Sequence, residues 1–372
     1  MNTRFLIAAG LLVAAPAAAY ADCDTPSRYW DGDYRPNYSY PAGCTAQQNS
    51  REVQIHLNDA VSRALATSFG LGPDEMMPAG MTGLSEDEAL QRLVGGNGIH
   101  IDPTADVPAA APSPKWNTWL DGKYTWNDNG ERNFDLDGPL FNGLLGIDYK
   151  LTSKVTLGLL GSVEASHYDG DSVDTRSSGV GGGAYLGIML TDNIVFSANT
   201  LLSDITTKQS GDVRYEGPRW QTSGAITGYW YKDNWRFTPA VSLSYSKEWM
   251  DAKSGPVNDQ TVQTAALTPS IQIGKTLHLS DKTTMEPWAG AALDYTFLSR
   301  TKPDGLKASN DPNADLRLQL GLNFGFGSNA QLALTAEAGG LLNKDLNTYS
   351  GEAESGDPVL TGRLSRNLTM KI

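Results

Sequence analysis

The sequence is poor in the features that nucleic-acid-binding and metal-binding proteins need. Its 29 lysines and arginines are outnumbered by 42 acidic residues, which gives a formal net charge of −13. Because phosphate backbones are bound by basic surfaces, this balance excludes nucleic acid as a partner. The histidines lack the spacing of metal ligands, so we interpret them as solvated or lumenal and expect no metal and no cofactor. They are His56, His100, His167 and His278.

Motifs for catalysis are also missing. The sequence contains no Gly-x-Ser-x-Gly elbow, and no set of Ser, His and an acidic residue stands out. We therefore predict that the protein is not an enzyme.

Beyond the first residues there is no apolar run long enough for a transmembrane helix, so a membrane role would have to use strands. The first residues have the pattern of a secretory signal. Arg4 precedes the apolar stretch 5–15, and the small residues of 19–21 predict cleavage before Asp22. We expect residues 1–21 to be removed from an exported chain.

Cysteine is nearly absent: Cys23 and Cys44 are the only two. In an exported protein an isolated pair favours a disulfide over a metal site. The residues before Cys23 lack the aliphatic and small side chains of a lipoprotein signal, so we expect no lipid anchor there. Closing a loop of this size would stabilise the folded state by about 3 kcal/mol.

Residues 22–101 are predicted to form a short N-terminal segment, a disulfide loop followed by one or two helices. The first helix should cover about 51–67, because apolar residues recur there every three or four positions. These residues are Val53, Leu57, Ala60, Val61, Ala64 and Leu65. A second should begin at Ser85, which forms a capping box with Glu88. Residues 102–114, rich in proline and alanine, are predicted to be a linker.

From residue 115 to the end, apolar and polar residues alternate in run after run, the pattern of strands with two different faces. We count about twelve runs, centred near residues 121, 145, 160, 184, 200, 223, 241, 270, 291, 320, 335 and 365. Tight turns alternate with longer polar stretches near 128–135, 166–175, 206–214, 249–259, 299–313 and 343–357. The pattern predicts an all-β transmembrane barrel of about 12 antiparallel strands, since lipid offers no partner to an unpaired edge. A soluble β-sandwich or lipocalin-like barrel is the alternative.

Two groups of residues in this region are candidate functional positions. Charged residues on the polar faces should line the lumen, where they pair or meet water. They are Lys123, Glu164, Asp294, Arg317, Glu337, Arg363 and Lys371. The last strand alternates as a terminal assembly signal does, through Leu364, Leu368, Met370 and Ile372.

The stretch from Trp116 to Ile372 resembles the translocator domain of bacterial autotransporters, the type V secretion family. The resemblance lies in residues 116–124 as first strand, the turn and return of 143–160, and the glycine-rich 181–186. It implies a twelve-stranded barrel with a helix or linker through its pore and a passenger before the barrel. The threaded piece would be the helix of 51–67 or the linker of 102–114.

The resemblance also implies a role and a place. We expect a monomeric barrel in the outer membrane of a Gram-negative bacterium, surrounded by lipid and inserted by periplasmic chaperones and the barrel-assembly machinery. It would translocate or display its own N-terminal segment, which is either a small passenger or a pore plug. The alternatives are a passenger-less barrel that acts as a structural or pore protein and, as a third, a barrel enzyme.

Overall fold

The computed structural model describes residues 39–71, 115–127, 138–170, 173–232, 234–255, 257–280, 283–303, 313–326, 330–339 and 364–371. The expected signal peptide, Cys23, the helix at Ser85, the linker, Arg363 and Ile372 lie outside these residues. For the strand 364–371 the backbone pairing alone is described.

The described part consists of one helix followed by strands. Helix α1 is Ser39–Ser68. The strands are β1 Trp116–Asn127, β2 Gly138–Thr152, β3 Val155–Tyr168, β4 Thr175–Thr191, β5 Ile194–Gln209, β6 Val213–Gly228, β7 Trp230–Lys232, β8 Trp235–Ser254, β9 Gln260–Lys275, β10 Leu277–Ser280, β11 Thr283–Pro303, β12 Asn313–Phe326, β13 Ala330–Ala338 and β14 Leu364–Lys371.

The strands form one closed antiparallel ring. Each main strand pairs with the next, and β14 pairs with both β13 and β1, where Met370 lies opposite Leu120. The short β7 continues the line of β6 beyond Tyr229, and β10 continues β9 beyond Thr276. Fourteen strands minus these two continuations give twelve lines around the ring. The predicted barrel of about 12 antiparallel strands is confirmed, and every predicted centre lies in a strand.

The two faces of each strand differ as the alternation predicts. In β12, Leu320 is 63% exposed on the outside whereas Arg317 is 2% exposed on the inside. Leu318 and Gln319 repeat the same contrast. Since apolar side chains face outward and polar ones inward, the outer surface suits lipid.

The two ends of the barrel have different connections. At one end they span residues 128–137, 169–174, 210–212, 255–259, 304–312 and 339–363, and we call this the long-loop end. At the other end the connections are as short as 153–154 and 192–193, and we call this the short-turn end. Trp116 of β1 and Lys371 of β14 both lie at the short-turn end.

Two predicted loops proved wrong in extent, since β8 continues to Ser254 and covers most of the polar stretch 249–259. The polar stretch 206–214 is mostly strand, because β5 continues to Gln209 and β6 begins at Val213. Three residues make the turn, and Gly211 and Asp212 have positive φ angles of 79° and 60°. A ladder that continues beyond the membrane no longer needs an apolar face, so polar composition there does not indicate a loop.

Helix α1 begins twelve residues earlier than the predicted residue 51, at Ser39. Residues 39–50 lack a continuous apolar stripe, which is why the periodicity did not reveal them. Asn49 and Ser50 are buried all the same, because the barrel supplies polar partners: Ser166 and Tyr168 for Asn49, and Ser246 for Ser50. Cys44 therefore lies within a helix, and the expected irregular disulfide loop cannot extend that far. None of the described helices has both the length and the apolar character to cross a bilayer.

Replacing Leu320 with Arg should weaken folding into lipid. Leu320 lies in the middle of the outward apolar series of β12, where a cation costs about 2–4 kcal/mol. The matched control is Thr206→Arg on the outer face of β5, four residues beyond the exposed Leu202 and therefore close to water. Urea titration of the folded fraction in vesicles should show a loss for Leu320→Arg alone. Equal stability of the two variants would contradict the lipid-facing assignment.

Candidate functional site in the barrel lumen

Helix α1 lies inside the barrel and runs from the long-loop end to the short-turn end. Near its start, Gly43 is so close to β11 that an added Cβ would lie 2.9 Å from Thr301 Cγ2. Near its end, the Ser68 and Thr156 hydroxyls are 3.2 Å apart. The Tyr231 hydroxyl donates a hydrogen bond of 2.6 Å to the carbonyl oxygen of Leu71. The N-terminus of α1 is therefore at the long-loop end.

The apolar face of α1 is the one that the spacing predicts. All six of its predicted residues are buried, and Val53, Leu57, Val61 and Leu65 are completely inaccessible. They join one cluster with inward-facing residues of the wall, namely Trp119, Leu144, Leu160, Tyr185, Val195, Leu201 and Tyr229. A second apolar cluster joins Ala42 and Ala46 of α1 to inward-facing Val213, Tyr215, Met250 and Val262 of β6, β8 and β9. The helix thus packs against two apolar areas of an otherwise largely polar lumen.

Small residues let the helix approach this wall closely. Gly187 of β4 faces the lumen, where an added Cβ would overlap Leu65 and come within 3.0 Å of Phe69 Cε2. Two aromatic residues of the wall are fixed by a hydrogen bond, since Trp119 Nε1 donates to the Tyr185 hydroxyl at 2.8 Å. The part of α1 nearer the short-turn end therefore packs closely against an apolar surface of the wall.

A buried carboxylate of β1 holds the middle of the helix. Asp121 is 1% exposed, and its two oxygens contact different residues of α1. Oδ1 lies 3.0 Å from His56 Nε2, and Oδ2 accepts a hydrogen bond of 2.5 Å from Arg63 Nη2. The other ring nitrogen of His56 lies 2.5 Å from Asn142 Oδ1. His56 is thus a lumenal residue that joins the helix to β1 and β2.

A chain of alternating charges begins and ends on adjacent residues of the helix. Glu52 contacts Lys123 of β1 at 3.4 Å, and Lys123 contacts Glu337 of β13 at 3.2 Å. Glu337 accepts a hydrogen bond of 2.7 Å from Arg317 of β12, which also pairs with Asp294 of β11. We call these residues, together with Arg51, the charge circuit.

Arg51 closes the circuit. Its Nη2 lies 3.6 Å from Asp294 Oδ2 and 3.0 Å from Asp315 Oδ2. Because each buried charge has an opposite neighbour, the cost of removing these groups from water is offset. The circuit joins four strands of the ring to one turn of α1.

The remaining predicted lumenal charges have different outcomes. Glu164 is buried but belongs to another cluster, in which both of its oxygens accept hydrogen bonds of 2.8 Å from Arg219 of β6. Arg219 also donates to Glu248 of β8 at 2.6 Å. Arg363 and the side chain of Lys371 lie outside the described residues, so their assignment stays a prediction.

The sequence analysis missed several lumenal residues. Arg219 and Glu248 escaped it, as did the buried pair of Arg236 and Glu286, whose closest atoms are 2.7 Å apart. All four have the inward parity of their strands, so extending the alternation through 213–228, 235–254 and 283–303 would have identified them. The helical partners Arg51, Glu52 and Arg63 have no such signal, because the polar side of a helix is usually solvated.

Part of the lumen beside the helix is open. A cavity of about 170 Å³ lies between α1 and the part of the wall that runs from β8 round the ring to β1, towards the short-turn end. Its lining includes Arg63, Leu71, Asn117, Arg236 and Trp288. Among the described residues, no group of three or more His, Cys, Asp or Glu side chains is arranged to hold a metal ion.

Replacing Arg317 with Met should destabilise the barrel by about 3 kcal/mol, because Asp294 and Glu337 would each lose a buried cationic partner. Lys302→Met is the control, since Lys302 is exposed and forms no ion pair within the described residues; its effect should stay below about 0.5 kcal/mol. Urea titration of the folded protein in detergent measures both. Equal midpoints would show that the circuit contributes nothing to stability.

Replacing Gly187 with Val should loosen α1 and raise the ion conductance of the barrel, because the new side chain would occupy the space of Leu65. Gly182→Val is the matched control on the same strand, as Gly182 faces outward and an added Cβ has no neighbour closer than 3.8 Å. Single-channel recording in planar bilayers compares the two variants with the unmodified protein. Unchanged conductance of Gly187→Val would argue against close packing as the seal.

Comparison with known proteins extends these observations. Residues 118–337, more than half of the chain, match the family model described as the autotransporter beta-domain. The β-domain of the Bordetella autotransporter BrkA superposes with a TM-score of 0.50 at 12% identity, over 69% of this chain and 99% of that one. The translocator domain of NalP from Neisseria meningitidis gives a TM-score of 0.49 at 13% identity, over 70% and 89%. No match was found among curated proteins.

At 12% identity the superposition on the BrkA β-domain shows a shared fold alone. The family match covers the strands from β1 to β13, which build most of the ring around α1. The predicted family and the expected outer-membrane location of the barrel are thereby confirmed. This chain belongs to the autotransporter β-domain family of outer-membrane translocator barrels.

Proposed function

We propose that this barrel displays the residues that precede α1 at the bacterial surface and keeps α1 in its lumen as a plug. The direction of α1 supports the proposal most strongly, since the helix starts at the long-loop end and finishes at the short-turn end. Outer-membrane barrels keep short turns in the periplasm and longer loops outside. Residues 22–38 of the expected mature chain would therefore join the helix at the outer face of the barrel.

The other connection of α1 supports the same direction. Leu71, after the helix, and Lys115, before β1, both lie at the short-turn end. Residues 72–114 thus begin and end on the periplasmic side. A chain with this course leaves the helix in the pore once the residues before it have crossed, so the helix and not the linker is the threaded piece in this proposal.

The contacts of α1 favour a plug over an open pore. The helix is held on its polar side by Asp121 and the charge circuit, and on its apolar side by the cluster along β1–β5. Asn49 adds a contact near the outer end, donating to Ser166 Oγ at 2.9 Å and accepting from the Tyr168 hydroxyl at 2.8 Å. A passenger-less structural or pore protein would not need a helix anchored on every side.

The proposal also gives the predicted disulfide a role. Cys44 lies in α1 close to its outer end, and Cys23 would precede the displayed residues. A bridge between them would close the displayed segment into a loop fixed to the plug. Export with a cleaved signal peptide, insertion as a monomer by chaperones and the barrel-assembly machinery, and the absence of catalysis and of cofactors are further parts of the proposal.

Epitope accessibility on intact cells tests this display. A tag inserted beside Tyr34 should be labelled by antibody and cut by added protease. A tag between Ala109 and Ala110 should become accessible only after the outer membrane is permeabilised. A third tag, inserted after Gly211 in the turn at the long-loop end, reports on the orientation of the barrel itself.

The three tags separate the possible failures. If the tag at Gly211 is labelled but the tag at Tyr34 stays protected, the barrel is oriented as proposed and the display is wrong. If the tag at Ala109 is labelled on intact cells, the direction of the threaded chain is wrong.

A further inference from the structure

A row of basic residues crosses the outer face of the barrel at the long-loop end. Arg176 of β4 lies directly opposite Lys208 of β5, which in turn lies opposite Arg214 of β6. His167 of β3 is the ladder partner of Arg176 and extends the row by one strand. We call Arg176, Lys208 and Arg214, with His167 at its edge, the basic row.

The row faces away from the lumen. Arg176 has the parity of Val180, which is 64% exposed, and Lys208 has the parity of Leu202, which is 57% exposed. Arg214 likewise has the parity of Trp220, which is 41% exposed. The three basic side chains are exposed as well, so they continue the lipid-facing surface upwards.

The row lies beyond the apolar band, at a depth suited to polar headgroups. Arg176 is four residues along β4 from Val180, and Lys208 is six residues along β5 from Leu202. At about 3.4 Å per residue and a tilt of roughly 40°, the row stands about 10–15 Å above these residues. Phosphorylated sugars of an outer-leaflet glycolipid lie above the acyl chains at such a height.

Two of the four residues of the row have a carboxylate partner within the described residues, and the other two do not. Arg214 pairs with Glu216, and His167 Nε2 lies 3.0 Å from Asp169 Oδ1. Arg176 and Lys208 form no ion pair within the described residues, although Asp204 and Glu216 share their face of the sheet. Like charges directly opposite one another destabilise a sheet, so this arrangement costs free energy in the isolated barrel.

We propose that the basic row binds phosphate groups of lipopolysaccharide, the phosphorylated glycolipid of the outer leaflet. Directly opposite residues have their Cβ atoms about 5 Å apart, so one phosphate can contact both Arg176 and Lys208. A guanidinium binds phosphate through two parallel hydrogen bonds, and an ammonium binds it as a point charge. This inference rests on the orientation in the proposed function, with the long loops outside, but not on the display of residues 22–38.

Binding of purified mature protein to lipopolysaccharide in detergent tests the assignment, with native mass spectrometry as the readout. The variant Arg176→Ser/Lys208→Ser should bind about thirtyfold more weakly, since each cation near a charged lipid contributes about fivefold. Arg300→Ser/Lys302→Ser is the matched control. It removes the same charge at the long-loop end, but both residues lie on a single strand, β11. The control should bind as the unmodified protein does.

Two further measurements sharpen the result. Lipopolysaccharide without its phosphates should bind the unmodified protein as weakly as phosphorylated lipopolysaccharide binds the Arg176→Ser/Lys208→Ser variant. Lys208→Arg should retain binding, and the heat-modifiable gel shift should verify that every variant is folded. Equal weakening by the two double variants, undiminished binding of dephosphorylated lipid, or equal binding of phosphatidylglycerol would each overturn the proposal. None of these results depends on whether a tag at Tyr34 reaches the cell surface.

Discussion

Closure of the ring between β14 and β1 is the constraint on which the rest of this structure depends. Hydrocarbon offers no partner for a peptide group, so a sheet in lipid is stable only if its first and last strands pair. Here eight successive residues of β1, from Trp119 to Trp126, lie opposite residues of β14. The apolar outer face follows from the surrounding lipid, and the lumen follows from the number of strands. A ring of twelve strands is wide enough to hold a helix and must either fill that space or admit water.

The way the lumen is filled explains two departures from simple alternation. In β3 the inward series of Thr156, Ser162 and Glu164 is interrupted by Leu160, and in β5 Leu201 faces inward beside the outward Leu202. Both inward leucines belong to the cluster around Leu57 and Leu65 of the helix. Alternation is therefore interrupted at the positions where the wall packs against the helix. An inward apolar residue in an otherwise polar lumen indicates where a threaded element packs.

The sequence predicted the barrel well because strand alternation is imposed by two solvents, lipid outside and polar lumen inside, and each leaves its own signature. It predicted the apolar face of α1 for the same reason. The first twelve residues of the helix were missed because they have no continuous apolar stripe. Ala42 and Ala46 pack against apolar residues of the wall, whereas Asn49 and Ser50 bond to its polar side chains. The partners of the buried charges were out of reach too. Parity places Arg317 in the lumen, but its pairing with Asp294 and Glu337 depends on the order of strands around the ring.

The distribution of charges between the lumen and the outer rim follows from the same constraint. Inside, every member of the charge circuit has an opposite partner, because water is scarce and an unpaired charge is costly there. Outside, Arg176 and Lys208 stand next to each other without such a partner among the described residues, where solvent and headgroups screen them. The paired charges of the circuit thus lie in the lumen, whereas the cations Arg176 and Lys208, unpaired within the described part of the chain, lie on the outer rim, where lipid headgroups can bind them. The lumen fixes the helix in one direction, and the rim is free to meet the lipid surface around it.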